Sequence, residues 1–471
     1  MKIVVLGTGY VGLVSGVCLA AQGHNVVCVD VDRQKIDLLR RGVATMYEPG
    51  LPELLTSVIN DGMIEFTYDL PNALNGAAVV FVAVGTPPSS RDGGADLTFV
   101  FKAVEEIARH AEPGTVVAVK STVPVGTGDR VEEIISKIRG KDDVAVISNP
   151  EFLREGVAIA DFMTPDRIVV GTENQAAKHA MLAVYGKLIE KNVPLVFTRR
   201  RTSELIKYAS NAFLATKIAF INEMADLCES VGADIQDLSI GMGLDHRIGA
   251  QFLKVGPGYG GSCFPKDTLA LTKLASDHKI NLHLVETTVV SNQARKHSMA
   301  HRLAGLLDDD LAGKTIAVLG LSFKANTDDV RESPALALIV GLRKMNANVR
   351  AFDPVSMENA SHQLEGITFC KNAYDCAEGA DAVVIATEWD EFKNLDFARL
   401  KDQAKGNVIF DLRNVINTRL AAQMGFRVSL LGYAGLPDQA TKDIIQSTSG
   451  GEHAQDLAST IFDGTPRTES Y

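Results

Sequence analysis

Short apolar runs recur along the first 200 positions, each followed by a stretch in which apolar residues return at helical spacing. KIVVLG, NVVCVDV, AVVFVAVG, TVVAVKS, VAVISN and DRIVVG predict strands, and their alternation with amphipathic segments is the pattern of βαβ units. Three of these strands run into polar loops, GTPPSS, STVPVGT and NPEFLREG. In a doubly wound sheet ligands bind beyond the carboxyl ends of the strands, so the three loops are expected around one crevice. Residues 202–231 hold no Gly or Pro and are apolar at helical spacing, which predicts one long buried helix at the hinge of the molecule. From position 313 the opening pattern returns in weaker form. GKTIAVLGLSFK parallels MKIVVLGTGYVG, NANVRAFDP parallels GHNVVCVDV, and ADAVVIATEWDEF parallels AAVVFVAVGTPP. The pattern therefore predicts an α/β chain of two Rossmann-like doubly wound domains, 1–200 and 310–436, joined by the long central helix and a helical region at 201–309. Residues 437–471 are polar and nearly aperiodic and are expected to form a disordered tail.

A length of 471 residues is too great for one ordinary core, in keeping with several domains. A net charge of −11 leaves no basic excess to neutralise phosphates along a nucleic acid, although it permits a local basic pocket for a small anion. Cys18, Cys28, Cys228, Cys263, Cys370 and Cys376 show neither CxxC nor Cys/His spacing, so no metal site and no disulfide framework is expected. The chain opens directly into a strand without signal-peptide features, and no apolar run reaches membrane-spanning length. A cytoplasmic protein with reduced thiols is expected.

GTGYVG places Gly7, Gly9 and Gly12 in a GxGxxG pattern, with Tyr10 and Val11 between them. The pattern follows a strand and opens a helix, and Asp30 ends the next strand. In that context the glycines let backbone approach a pyrophosphate at a helix N-terminus, and Asp30 can accept hydrogen bonds from ribose hydroxyls. A carboxylate there would repel a 2′-phosphate, which favours NAD over NADP. Arg33 is the nearby group that could accept such a phosphate instead. The second turn, GLSFKANTDDVRES at 320–333, lacks the glycine pattern, and its Lys324 and Arg331 read equally as ligand contacts or as a solvated loop.

Lys207 and Asn211, four apart on the long helix, project from one face. A lysine on a mainly apolar helix must snorkel, pair or work, and beside a nicotinamide the two could hold an alcohol oxygen. In GYGGSCFPKD, Cys263 and Asp267 share the same spacing if a helix starts there, with Pro265 in its first turn. A helix N-terminus and Lys266 are both expected to lower the pKa of Cys263 and favour thiolate. The set then contains a nucleophile and a candidate base for water. Glu151 and Glu155 lie in a loop after a strand, next to the apolar Phe152 and Leu153.

In this order, GTGYVG, VGTPP, KSTVPVGT, NPEFLREG, SELIKYASNAFLATKIAFINE, GPGYGGSCFPKD and GLSFKANTDDVRES resemble the nucleotide-sugar 6-dehydrogenase family from Met1 to about Ala434. Within it, GGSCFPKD is most similar to the enzymes acting on UDP-glucose. Those acting on GDP-mannose share much of it, while relatives acting on N-acetylmannosamine nucleotides typically carry His where this chain has Ser262. The resemblance implies oxidation of a primary alcohol to a carboxylate, UDP-glucose to UDP-glucuronate, by two NAD in succession. Cys263 would capture the aldehyde as a thiohemiacetal, and water would release the acid from the resulting thioester. It further implies that Lys207 and Asn211 polarise the reacting oxygen, that Asp267 is base and water orienter, and that Glu151 and Thr122 position the water. Either Lys207 or a water held by Asp267 could take the first proton. By the same resemblance Thr86, Thr122, Glu155, Lys266 and Arg331 would contact NAD. Glu155, Phe152, Leu153, Phe252, Leu253, Lys254, Gly256, Tyr259, Gly260, Phe323, Lys324 and Arg413 would line the sugar-nucleotide site. Arg247 would reach in from a neighbouring subunit of a homodimer, or of an assembly of dimers, with the long helix at its core.

Two other classes share part of the pattern. A single-oxidation β-hydroxyacid dehydrogenase also places Lys and Asn on a helix after a Rossmann domain, but needs neither Cys263 nor a second such domain. A dinucleotide sensor would not need Lys207, Asn211, Cys263 and Asp267 together.

Overall fold

The structure is a computed structural model that describes residues 1–89 and 94–435; the tail expected at 437–471 lies outside the described residues. Eight strands form the first sheet: β1 (Lys2–Leu6), β2 (Asn25–Val29), β3 (Ile64–Thr67), β4 (Val79–Val82), β5 (Val116–Val119), β6 (Ala145–Ser148), β7 (Ile168–Gly171) and β8 (Leu195–Thr198). Their spatial order is β3-β2-β1-β4-β5-β6-β7-β8, all neighbours parallel except β6 and β7. The second sheet comprises β9 (Thr315–Leu319), β10 (Asn348–Phe352), β11 (Thr368–Phe369), β12 (Ala382–Ile385), β13 (Val408–Asp411) and β14 (Arg427–Leu430), parallel throughout in the order β11-β10-β9-β12-β13-β14. Its order repeats that of the first six strands. Strands such as VVFV and AVVI are buried end to end, because helices cover both faces of a parallel sheet.

The repetition reaches single hydrogen bonds. Gly7 N–H donates to Val29 O and Gly320 N–H to Phe352 O, at 2.8 and 2.7 Å; Ala83 N–H donates to Leu6 O and Ala386 N–H to Leu319 O, both at 2.8 Å. The turns then diverge. In the second, Asp353 is buried and consumed: its Oδ2 accepts from Leu321 N, Ser322 N and the Trp389 indole, and its Oδ1 from Val355 N and Ser356 N. The place that Asp30 holds at the end of β2 is here filled by the protein itself.

Between the sheets runs the helix Arg200–Val231, about 48 Å long at 1.5 Å per residue, stopped by Gly232 in the left-handed region at φ 74°. Its burial departs from the apolar pattern. Apart from Tyr208, Ile221 and Cys228, the buried face is small or polar, with Ser203, Glu204, Lys207, Asn211, Ala212, Ala215, Ala219, Asn222 and Ala225, whereas Leu205, Phe213, Phe220 and Leu227 are 43%, 68%, 43% and 51% exposed. Close packing against the helices Phe264–Asp277 and His283–Leu306 selects small side chains; of the polar ones, Lys207 and Asn211 enter the site, Glu204 accepts from Gly126 N and Gly128 N, and Asn222 accepts from Gly256 N.

Candidate active site

Beyond β1, Gly7 has φ +99°, and a Cβ there would lie 2.7 Å from Ala83 O; a Cβ on Gly12 would lie 1.9 Å from Gly7 O. Both glycines are demanded by the fold of the turn. Gly9 is different: it caps the helix Tyr10–Ala21 without a side-chain cap, and among the described residues, its chain neighbours aside, no atom lies within 4 Å of where its Cβ would be. Open backbone at an uncapped helix N-terminus fits a pyrophosphate. Asp30 Oδ2 accepts from Thr8 N and Thr8 Oγ1, both at 2.7 Å, and Oδ1 from Asp32 N at 3.0 Å. Burial alone would raise its pKa, but these bonds outweigh it and hold the carboxyl below its ordinary value, ionised and able to accept from ribose hydroxyls. Arg33 lies over the Tyr68 ring at 4.8 Å. Thr86 Oγ1, past β4, donates to Thr122 O, past β5, at 3.0 Å, so the two loops are tied together.

The loops beyond β5 and β6 meet the long helix in a buried cluster. Glu151 Oε1 lies 3.0 Å from Lys207 Nζ, each side chain only 4% exposed. Burial would lower the pKa of Lys207, yet Glu151, with Cys263 and Asp267 behind it, keeps it above the usual value. One turn on, Asn211 Nδ2 donates to Asp267 Oδ2 at 2.6 Å, while Lys266 Nζ donates to Asp267 Oδ1 at 2.6 Å. Cys263 is the N-cap of the helix Phe264–Asp277, with Pro265 in the first turn, and Asp267 N–H donates to Cys263 O at 2.8 Å.

The thiolate expectation is overturned. Burial first, then Glu151, pushes the Cys263 thiol up to about 11; Lys207 opposes the shift and Asp267 adds to it. Lys266, expected to acidify the thiol, spends its ammonium on Asp267.

Glu155 stands at the junction of the three parts of the chain. Oε1 accepts from Ser262 Oγ and Oε2 from Thr327 Oγ1, both at 3.0 Å, and Arg331 lies 3.9 Å away while pairing with Asp329 at 2.7 Å. Burial first, and then Asp329, raises its carboxyl to about 7. Next to it, Gly156 N–H donates to the buried Glu48 at 2.6 Å, and Glu48 also accepts from the Tyr10 hydroxyl.

The loop from Phe252 to Gly261 is held from behind. Gly256 N–H donates to Asn222 Oδ1 at 2.9 Å, Arg295 Nε to Gly256 O at 2.7 Å, and Tyr259 N–H to Asn292 Oδ1 at 2.8 Å. Gly260 and Gly261 lie against the second Rossmann-like domain, where added Cβ atoms would meet Glu332 O at 2.4 Å and the Phe323 ring at 2.7 Å. Arg413 reaches this wall, donating from Nη2 to Phe323 O at 2.8 Å, and Lys324 Nζ lies 5.4 Å from the Phe323 ring centre. Phe152 has Arg167 over one ring at 3.7 Å and Lys207 at 5.3 Å.

Some expected residues are not brought to the cluster. Arg247 is 78% exposed and paired with Asp245, Lys254 is exposed, and Leu253 and Leu153 pack into the central and N-terminal cores. Sequence reasoning missed Ser262, Thr327 and Arg167, the braces Asn222, Asn292 and Arg295, and Lys120, which extends an apolar strand yet is itself buried. A cavity of about 660 Å³ around Leu54 and Val157 shares only Glu48 and Gly156 with these groups and none of the cluster.

The UDP-glucose/GDP-mannose dehydrogenase family matches in three consecutive parts: its NAD binding domain over residues 1–189, its central domain over 201–294 and its UDP binding domain over 317–418. The chain is 54% identical over 434 residues to UDP-glucose 6-dehydrogenase of Rhizobium meliloti, covering 92% of this chain and 99% of that protein. It is 46% identical over 435 residues to the enzyme of the same name from Rickettsia typhi, again covering 92% and 99%. Its fold is similar to that of a UDP-glucose dehydrogenase from Pyrobaculum islandicum, with a TM-score of 0.82, 37% identity and coverage of 89% of this chain and 95% of that one.

Proposed function

The chain belongs to the UDP-glucose/GDP-mannose dehydrogenase family, and from that premise we propose that it oxidises the primary alcohol of UDP-glucose to the carboxylate of UDP-glucuronate with NAD. The observation that carries the reading is the buried cluster of Lys207, Glu151, Asn211 and Asp267 around a single cysteine at the start of a helix. An enzyme that stopped at the aldehyde would have no use for the thiol. When bound, NAD supplies the hydride acceptor for each of the two oxidations.

In the first oxidation the alcohol carbon gives up a hydride and its hydroxyl gives up a proton, to Lys207 or to a water held by Asp267, while Lys207 and Asn211 hold the reacting oxygen and stabilise the negative charge that develops on it. The aldehyde carbon bonds to Cys263 Sγ while the thiol proton passes to the aldehyde oxygen, giving a thiohemiacetal. Loss of a hydride and of the hydroxyl proton converts it to a thioester. Water, oriented by Asp267 and Glu151 with Thr122, then adds; the C–S bond breaks, the thiol regains a proton and the carboxylate leaves. Because Cys263 is protonated in the ligand-free protein, Lys207, which opposes the rise of its pKa, is the cation that favours thiolate during capture. Phe323, Lys324 and Arg413, on the domain matched as UDP binding, take the nucleotide end of the substrate.

We place the enzyme in the cytoplasm as a homodimer; among the described residues no helix is long and apolar enough to cross a membrane. Phe213, Phe220 and Leu227, spaced by seven, leave an uncovered apolar row on the long helix suited to a second copy. The test of function is a substrate panel. UDP-glucose, GDP-mannose and UDP-galactose are each supplied with NAD and NADH is followed: UDP-glucose should turn over fastest, and a preference for GDP-mannose would move the chain to that branch.

A further inference from the structure

Lys120 follows the last residue of β5, among the loops that carry the site, yet no step above uses it. It is 4% exposed. Its Nζ has Asn149 Oδ1 at 3.4 Å and the Phe81 ring centre at 5.6 Å. Asn149 cannot turn away, since its Nδ2 donates to Val169 O at 2.8 Å and its Oδ1 also accepts the Tyr185 hydroxyl at 2.6 Å. Among the described residues Lys120 has no ion-pair partner, because Glu151, two residues beyond Asn149, is paired with Lys207. A buried ammonium with one long hydrogen bond is costly, and an apolar side chain of similar size would serve the fold as well or better. Something other than packing retains it.

The charged groups acting on Lys120 are those of the site. Glu151 favours its ammonium; Lys207, on the long helix, opposes it. From β4 its ammonium faces the Phe81 ring while its backbone N–H donates to Val82 O at 2.9 Å, and the Tyr185 hydroxyl behind Asn149 is held protonated by burial. Lys207 alone pairs with Glu151, and Lys120 stands behind Asn149 as the second buried cation. We propose that Lys120 is a positioning residue for this reaction: a second buried cation that holds Asn149, two residues before Glu151, and so sets how Glu151 meets Lys207 and how readily Lys207 takes part in proton transfer. A neighbouring cation is a known way to make a lysine release its proton more readily. Burial pushes Lys120 itself down to about 8, so its help is present below that pH and is lost as pH rises through it.

The inference rests on the proposed function, and wild-type protein assayed alongside separates the two: a wild type that makes no NADH from UDP-glucose defeats that reading, not this one alone. Lys120→Met keeps the length and apolar stem, and Lys120→Gln keeps a donor for Asn149 Oδ1. For all three proteins kcat, both KM values and Tm are measured from about pH 6 to 10. We expect both variants to fold with Tm near that of the wild type. At neutral pH kcat should fall about tenfold or more while KM for sugar nucleotide and NAD stay within about threefold, the signature of an interaction used in the chemical step rather than in binding. The wild-type kcat should decline across about pH 8, and that step should vanish in both variants, whose rates match the wild-type high-pH level. Variants with lowered Tm and the wild-type pH profile would make Lys120 a structural strut. Variants with wild-type kcat, or the failure of both to fold, would equally overturn its role.

Discussion

At the scale of single residues, Cys263, the proposed nucleophile, is masked. A thiol raised to about 11 by burial and by Glu151 is almost wholly protonated at neutral pH. Iodoacetamide inactivation of the ligand-free protein should therefore still be accelerating at about pH 10, well past the free-cysteine midpoint of about 8.5. A midpoint below 8.5 in the log-rate against pH would show that the thiol is acidic before any ligand arrives. The glycines of the first turn separate fold from binding in the same way. Gly12→Ala drives a Cβ into Gly7 O and should cost stability, about 2 kcal/mol or more by denaturant melting. Among the described residues a Cβ on Gly9 meets nothing beyond its chain neighbours, so the Gly9→Ala melt should be unchanged while NAD affinity falls about tenfold or more. Equal damage to both melts would remove the distinction. Both glycines were legible from GTGYVG, but their different jobs were not, since a spacing says nothing of what stands beside each Cα.

The elements of the site show which signals a sequence carries. The long helix was legible from its lack of Gly and Pro, and the six principal strands of the first sheet from their apolar runs. Strands β3 and β8, the two edges of the sheet, escaped because Glu65 interrupts the apolar run of β3 and β8 keeps only partial cover. The helix face was misread because burial here follows close packing and site chemistry, not side-chain hydrophobicity. Ser262 and Thr327 could not be foreseen: only folding brings them to Glu155 from 107 and 172 positions away. That junction should respond to pH. The Glu155 carboxyl is raised from 4.5 to about 7, so between those values the folded protein holds a proton that the unfolded chain has released. Its contribution is full below about 4.5 and is lost as pH rises through about 7. Relative to Glu155→Gln, which mimics the protonated form, the wild type should lose on the order of 1 kcal/mol or more between pH 5 and 8 in chemical melts. A difference that does not vary with pH, or that moves in favour of the wild type, would contradict the assignment.

Across the whole molecule, one architecture is used twice with opposite treatment of its first turn. The N-terminal turn leaves Gly9 open and Asp30 ionised; the C-terminal turn fills itself with Asp353 and Trp389 and offers Phe323, Lys324 and Arg413 instead. The subunit arrangement has its own test. Arg247 stands exposed and, among the described residues, paired only with Asp245, and it is proposed to serve the partner's site. Mixing inactive Arg247→Ala with inactive Cys263→Ala should restore part of the activity, because one hybrid site carries neither lesion. Subunit exchange proved by mass, with no return of activity, would confine Arg247 to its own subunit or to no role. The central claim is that Cys263 carries the sugar between two oxidations. It is tested most directly by counting NADH per UDP-glucose, with intact protein mass, for the wild type and Cys263→Ser. The wild type should yield two NADH per sugar. Cys263→Ser should bind both ligands yet turn over more slowly by several orders of magnitude, since an unactivated serine remains a neutral hydroxyl where cysteine can form thiolate. A serine variant that gives two NADH per sugar at near the wild-type rate would remove Cys263 from the mechanism and leave it as a packing residue.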